Sequence, residues 1–463
     1  MQIKYAHFFN EVFNWMSMIL TKQYSLKLEK NIPMHQTNSQ FIIFRPLNKI
    51  ETMKTLFILL AIFGGLVNQP TNKTPDWRGI NRSGYYPESN LLKQWPENGP
   101  QLLWETDTLG VGFGSPIVAS EKIFVEGIID STAYLYTFDK NGKLVIQTEI
   151  GQEWVSHFPG SRSTPSVSGN LVYTMTGKGD LSCVDMNTGK VVWQKNMIRD
   201  FEGKSPMFGF AECPLIDGEK VFCTPGGPNY NVIALNRFNG NLIWNCKAFG
   251  EYSTYNSPAL FAVAGRKMIA DFTTYHLLGI DAETGELLWS HEQTNIPLEK
   301  RGYGEGDTHA NTVLVENNIL YYFAGDGNKA VALQISNDGK EITPLWNNPK
   351  VDNYMGGIVK QDSVIFSNGF SKHKLYEVNA LTGAISDSLS IGRGISIVAD
   401  QMLYYYNDKG EMHLVDYRSG ALKDISSFKI SKGSREHFAH PVIDNGILYI
   451  RHGEFLGAYK IAE

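Results

Sequence analysis

One short pattern returns through most of this 463-residue chain: an apolar run, an Asp or Asn, a turn closed by Gly, and a second apolar run. Its clearest copies are Leu181-Ser-Cys-Val-Asp185-Met-Asn-Thr-Gly189-Lys-Val-Val-Trp193, Val232-Ile-Ala-Leu-Asn236-Arg-Phe-Asn-Gly240-Asn-Leu-Ile-Trp244 and Leu277-Leu-Gly-Ile-Asp281-Ala-Glu-Thr-Gly285-Glu-Leu-Leu-Trp289. Weaker copies place turn glycines at 142, 339, 383 and 420, so the unit recurs about every 46 residues. A period of that size marks stacked supersecondary units rather than separate domains. The Asp or Asn side chain accepts hydrogen bonds from turn amides, and Gly takes the position that needs a positive φ. Each copy therefore reads as a β-hairpin with a bulged turn. Trp at one place per unit implies a flat wedge between neighbouring units, where burial of one aromatic contributes roughly 2–3 kcal/mol.

A second hairpin precedes each of these. It opens on Ser115-Pro116, Thr164-Pro165, Cys213-Pro214, Ser257-Pro258 and His440-Pro441, and Val313, Ile358 and Ser396 hold the Pro place in the other units. Pro suits the first residue of a strand, where no ladder donor is needed. Two hairpins make a four-stranded sheet, and such sheets arranged radially form a β-propeller. The last unit runs through Leu456-Gly-Ala-Tyr-Lys-Ile461 and stops one strand short, while Gln101-Leu-Leu-Trp104-Glu-Thr near the front carries a matching Trp. The expected fold is all-β: an eight-bladed β-propeller of four-stranded antiparallel blades over residues 101–463. The N-terminal strand closes it, so that no edge is left unpaired.

Composition narrows the function. Many glycines (44), many aromatics (22 Tyr, 25 Phe) and 19% charged residues suit short strands and tight turns. A net charge of −5 supplies no basic stripe for nucleic acid. No apolar run approaches the ~20 residues that span a bilayer. Met53-Lys54-Thr55 followed by the uncharged run Leu56 to Val67 has the layout of a secretory signal peptide. The expected organisation is residues 1–52 as an unstructured upstream extension, 53–70 as a signal peptide and 71–100 as an extended lead-in to the propeller. The protein is expected to be exported, periplasmic or otherwise extracytoplasmic, and monomeric. Cys183, Cys213, Cys223 and Cys246 match no zinc spacing. Buried free thiols are favoured over a bridge, although export permits disulfides.

These residues resemble the quinoprotein-like repeat, in which an Asp-x-x-Thr-Gly turn is followed by a docking Trp. The resemblance covers about 75–463 and includes Asp76-Trp-Arg-Gly-Ile-Asn-Arg-Ser-Gly84 and Trp95-Pro96. The chain looks like the small exported pyrroloquinoline-quinone-like propellers. Its repeats are similar to those of the barrel-assembly propeller lipoprotein and of quinone-dependent alcohol dehydrogenases. The resemblance implies the scaffold. Such dehydrogenases place a disulfide of two adjacent cysteines over the cofactor, with a carboxylate–amide calcium site and a catalytic Asp beneath. This chain has no adjacent cysteine pair, and no residue is matched to the calcium ligands. No cofactor is carried over; pyrroloquinoline quinone with calcium remains the alternative.

In a propeller the loops leading into the innermost strands converge on the axis at one face, called here the upper face. Those loops hold Trp154, His157, Tyr255, Asn256, Asp307, Arg393, Arg435 and His437. They also hold Arg162, Glu212, His309, Asn311 and His440, which come from four blades yet take equivalent places near the Pro position. These five are the candidate ligand-binding set. Arg and Glu are rarely buried unless paired, so Arg162 and Glu212 read equally well as an ion pair between blades. His437 and His440 sit three apart, but a metal needs three or four converging ligands, and hydrogen-bonded histidines are the simpler reading. No nucleophile elbow, phosphate loop or H-E-x-x-H motif appears. The expected function is a non-catalytic scaffold that binds a small-molecule or protein ligand at the upper face. The alternative is a quinone-dependent alcohol or sugar dehydrogenase with a reduced active site.

Overall fold

Eight four-stranded antiparallel sheets follow one another in the computed structural model, which describes residues 76–463. The expected upstream extension and signal peptide lie outside the described residues. Blades 1 to 7 span 117–152, 166–196, 215–246, 259–292, 314–348, 359–389 and 394–429. Blade 8 combines 442–460 with the early strand Gln101–Thr106. The ring is a β-propeller closed as the sequence implies. Gln101 pairs with Lys460, Trp104 with Ala458 and Thr106 with Leu456.

The core is divided among the blade boundaries. Cys183 and Met175 of blade 2 pack with Val221 and Leu235 of blade 3, and Ala234 and Trp244 of blade 3 with Ile269 and Ile280 of blade 4. Middle strands are therefore apolar on both faces: all six residues of Met402–Asn407 are buried. All four cysteines are buried and free, and Cys213 lies just before a strand rather than on one.

The hairpin turns form as their residues require. Asp185 Oδ1 accepts from the amides of Asn187 and Thr188 and from the Thr188 hydroxyl, and Asn379 Oδ1 does the same for Leu381 and Thr382. A bulge follows in each outermost strand. In blade 3, Leu242 faces Leu235 and Trp244 faces Ala234, leaving Ile243 as the extra residue. The bulge leaves Leu242 and Ile243 exposed together while it turns Trp244 toward blade 4. The partner across the ladder from each Trp is small: Cys183, Ala234, Gly279, Ala332 and Ala458. At 279 no side chain fits, since a Cβ there would meet the Trp289 ring at 1.9 Å.

Each Trp then docks on the hairpin turn of the next blade. The indole N–H groups of Trp104, Trp193, Trp244 and Trp346 donate to the carbonyls of Lys140, Arg237, Ala282 and Ala380 at 2.8, 2.9, 3.2 and 3.0 Å. Trp193, Trp244 and Trp289 are buried, whereas Trp104 and Trp346 are only half-buried. Trp289 buries its ring against blade 5, but its N–H has no partner.

Candidate functional site

The innermost strands are short, three residues in six of the eight blades, and their inner edges face the axis. An unpaired edge presents backbone groups that need partners. On the axis those partners come from the segment 76–86. Within the stretch 71–100 read as a lead-in, the described residues 76–86 thus enter the axis of the propeller. Tyr85–Tyr86 adds a short parallel strand to Gly394–Ala399, the innermost strand of blade 7. Upstream of it, Arg82 donates from Nη1 to the carbonyls of Cys213 and Pro258 at 3.0 and 3.1 Å and from Nη2 to Pro214 at 2.8 Å. Its Nε faces both oxygens of Asp76 at 3.1 Å. Arg78 donates to the carbonyls of Ile358 and Ser396 at 2.9 and 3.3 Å. Both guanidinium groups are buried. A planar cation with five donors and no acceptor suits a ring of carbonyls. Trp77 packs edge-on against His440 at 5.2 Å, and the Tyr86 hydroxyl reaches the Pro441 carbonyl. One segment therefore ties blades 3, 4, 6, 7 and 8 together at the axis.

A second chain of bonds, running from blade 8 through blades 1, 2 and 3 to blade 4, is built by the residues before the Pro place. The amide of His440 donates to Ser115 Oγ at 2.8 Å, that of Ser115 to Thr164 Oγ1 at 2.9 Å, that of Thr164 to Cys213 Sγ at 3.3 Å, and that of Cys213 to Ser257 Oγ at 2.9 Å. Small residues stand here for a polar reason as well as a steric one: each side chain accepts the amide of the preceding blade.

The five candidate residues have specific places in this frame. Arg162 and Glu212 do not form a salt bridge. Arg162 turns back on its own loop, donating to the carbonyls of His157, Phe158 and Gly160, because those carbonyls have no strand partner. Glu212 is buried and accepts from the Thr224 amide at 2.8 Å. Burial, and then the nearby Asp271 carboxylate, hold its carboxyl well above the usual range. Asn311 is fully committed: its amide donates to the carbonyls of Phe323 and Asn353, and its oxygen accepts from Gly357. His309 stacks on Phe272 at 4.5 Å, with Nε2 3.3 Å from the Thr274 carbonyl, and burial pushes it down to about 4. His440 lies beneath Trp77, and burial with the Arg78 charge keeps it well below its ordinary value. Both histidines leave Nδ1 without a partner.

A second set of buried acids was not singled out from the sequence. Glu126, on the second strand of blade 1, is buried with neither oxygen hydrogen-bonded, and burial lifts it well above the usual carboxylate range. Glu153 accepts from the amides of Trp154 and Gly177, yet burial raises it to about 7. Buried Arg451 donates to the carbonyls of Gly110, Gly114 and Gly453. Glu126 and Arg451 lie on the second strands of blades 1 and 8, where an apolar run gives no reason to expect a charge, and Glu153 directly follows the outermost strand of blade 1. Among the described residues, no group of three or more His, Cys, Asp or Glu is arranged to hold a metal ion.

The fold and axis define an eight-bladed propeller of Trp-docked repeats. A family model described as "Outer membrane protein assembly factor BamB" matches residues 131–389. The chain belongs to this family. A curated relative of the same description from Shewanella oneidensis is 24% identical over 278 residues, which is 56% of this chain and 65% of the relative. The match thus spans less than two thirds of that relative's length. The crystal structure of BamB from Moraxella catarrhalis superposes with a TM-score of 0.57 at 12% identity, covering 78% of this chain and 99% of that one. The quinohemoprotein alcohol dehydrogenase from Comamonas testosteroni superposes with a TM-score of 0.60 at 11% identity, covering 86% and 82%. At such identities these two likenesses are likenesses of fold.

Proposed function

We propose that the protein is an exported, non-catalytic binding scaffold that serves protein assembly, as the description of its family suggests. The carrying observation is the axis. Its strand-edge carbonyls in five blades are bonded by Arg78, Arg82 and Tyr86 of the chain itself. Of the upper-face candidates, Asn311 is committed to bonds within and between blades and Arg162 to its own loop. A quinone does not fit this set of residues. The buried guanidinium groups of Arg78 and Arg82 take up the strand-edge carbonyls at the axis, and the four thiols are buried, free and non-adjacent in sequence.

The upper face instead offers contact surface. Phe158, Phe208 and Tyr255 adjoin with ring centroids 5.7 and 5.9 Å apart, and Tyr252 adjoins Tyr303 at 5.5 Å. Phe158 and Tyr303 are exposed. Exposed aromatics rimmed by polar loops favour a macromolecular partner. The test adds pyrroloquinoline quinone and calcium to the purified protein and follows cofactor absorbance and dye reduction with alcohols and sugars. The expected result is neither signal, together with less correctly assembled outer-membrane protein in cells lacking this chain. Stoichiometric quinone uptake with turnover would overturn the scaffold reading.

A further inference from the structure

Below the Arg82 guanidinium, on the side away from the upper face, the axis holds an open cavity. Arg82 takes the carbonyls of Cys213, Pro214 and Pro258, where the chain enters the innermost strands of blades 3 and 4. The cavity walls come from further along the innermost strands of blades 2 to 4 and from the entering segment. It measures about 170 Å³. A cavity of ~150 Å³ already admits a benzene ring, so one six-membered ring has room here. Solvent reaches it: of the residues that line it, Asn81 is exposed, and Asp76, Ile216 and Leu260 are half-buried. Its lining is mixed. Val167, Leu215, Ile216 and Leu260 give an apolar wall. The strands that carry them, Ser166–Ser168, Leu215–Asp217 and Ala259–Val263, are edges of their sheets, so their axis-facing N–H and C=O groups have no ladder partner. Asp76 takes Arg82 Nε on both oxygens, and its Oδ1 also accepts the Trp77 amide. Its Oδ2 keeps capacity for one more donor, and the side chain is 27% exposed.

We infer that this lower mouth of the axis binds one neutral polyhydroxylated six-membered ring, a pyranose or a cyclic polyol. Three features select that chemistry. The Asp76 carboxylate and the Arg82 guanidinium cancel in charge, so the cavity favours neither an anion nor a cation. A hydroxyl both donates and accepts, so a ring of hydroxyls can serve strand-edge N–H groups, strand-edge carbonyls, Asp76 Oδ2 and the Asn81 carboxamide together. The C–H face of the same ring lies against the apolar wall of Val167, Leu215, Ile216 and Leu260. A hydrocarbon ring fits the volume equally well but would strip water from those polar groups without replacing its hydrogen bonds.

This site is independent of the scaffold reading, which concerns the upper face. The test titrates the purified protein at neutral pH with D-glucose, D-galactose, D-mannose and myo-inositol, and with cyclohexanol, followed by calorimetry. At least one of the four polyols should bind saturably at one site, with a dissociation constant on the order of 1 mM, the scale for about a dozen non-hydrogen atoms. Cyclohexanol keeps the ring but only one hydroxyl, and should bind about tenfold more weakly or worse. Asn81→Gly suits the left-handed backbone at φ 52° and removes the carboxamide, so it should weaken the polyol about fivefold. Leu260→Trp grows a half-buried wall residue into the cavity and should abolish binding. Asn81 is exposed, so its variant still decides the matter if Leu260→Trp fails to fold. No saturable binding of any of the four polyols, cyclohexanol binding as tightly as they do, or undiminished binding in either folded variant would each overturn the inference.

Discussion

Arg82 shows how much one side chain carries at a strand edge. It gives three carbonyls of two blades their donors and keeps Asp76 paired. Arg82→Met retains the stem and removes every donor, leaving three carbonyls and a carboxylate without their partner. Denaturant unfolding should show a loss of about 3–5 kcal/mol, the scale of breaking a buried pair from one side. A loss under about 1 kcal/mol would mean that water replaces the guanidinium at no cost. Glu153 makes a different prediction. Burial raises it from an ordinary 4.5 to about 7. A carboxyl whose folded value lies above its unfolded one contributes its full stability below about pH 4.5 and loses it as the pH rises through about 7. Between pH 5 and pH 8 the native chain should therefore lose about 3 kcal/mol more than Glu153→Gln. Glu126 and Glu212 are common to both chains, so the difference isolates Glu153. Parallel stability curves for the two proteins would refute the assignment.

The Trp-docked hairpin is the element that turns a repeating sequence into a ring. Its energy has two parts, ring burial and one indole hydrogen bond, and the blades separate them. Trp193 and Trp244 make both contributions, while Trp289 makes only the first. Trp→Phe should then cost about 1 kcal/mol more at 193 and 244 than at 289, the worth of one hydrogen bond. Trp→Ala should cost about 3–5 kcal/mol at all three. Equal losses for the three Trp→Phe variants in thermal or denaturant unfolding would show that the N–H bond adds nothing. This element was legible in the sequence because its requirements are local: an Asx turn, a positive-φ Gly and a Trp four residues on. The bulge was legible as a turn feature, but its consequence was not. Leu242 and Ile243 look like core residues until the bulge places them both outside. The axis was illegible for a related reason. The blade carbonyls that Arg78 and Arg82 bond lie 131 to 318 residues away, and a carbonyl leaves no mark on the side-chain sequence. Nothing in the sequence marks Ser115, Thr164 and Ser257 as acceptors, since that use depends on a neighbour one blade earlier.

At the scale of the molecule, two early segments hold the ring by different means, and truncation can tell them apart. The strand 101–106 supplies the outermost ladder of blade 8 and docks Trp104 on blade 1. The segment 76–86 supplies donors at the axis but only a two-residue ladder. A chain beginning at Glu88 loses the axial segment and keeps Leu91 and Trp95, which pack where blades 7 and 8 meet. The freed carbonyls then face an open channel where water can reach them. This chain should keep the oligomeric state of the full chain and melt earlier. A chain beginning at Leu109 also loses the closing strand, so the ladder edge of Phe455–Lys460 is bared beside the apolar groups that Trp104 covered. A long unpaired edge is a template for another chain. This second truncation should therefore oligomerise or fail to fold, as read by light scattering after size-exclusion chromatography. If the Leu109 chain were a stable monomer, closure by 101–106 would not be what completes the ring. If the Glu88 chain aggregated as readily, the axial segment rather than the strand would be the clasp.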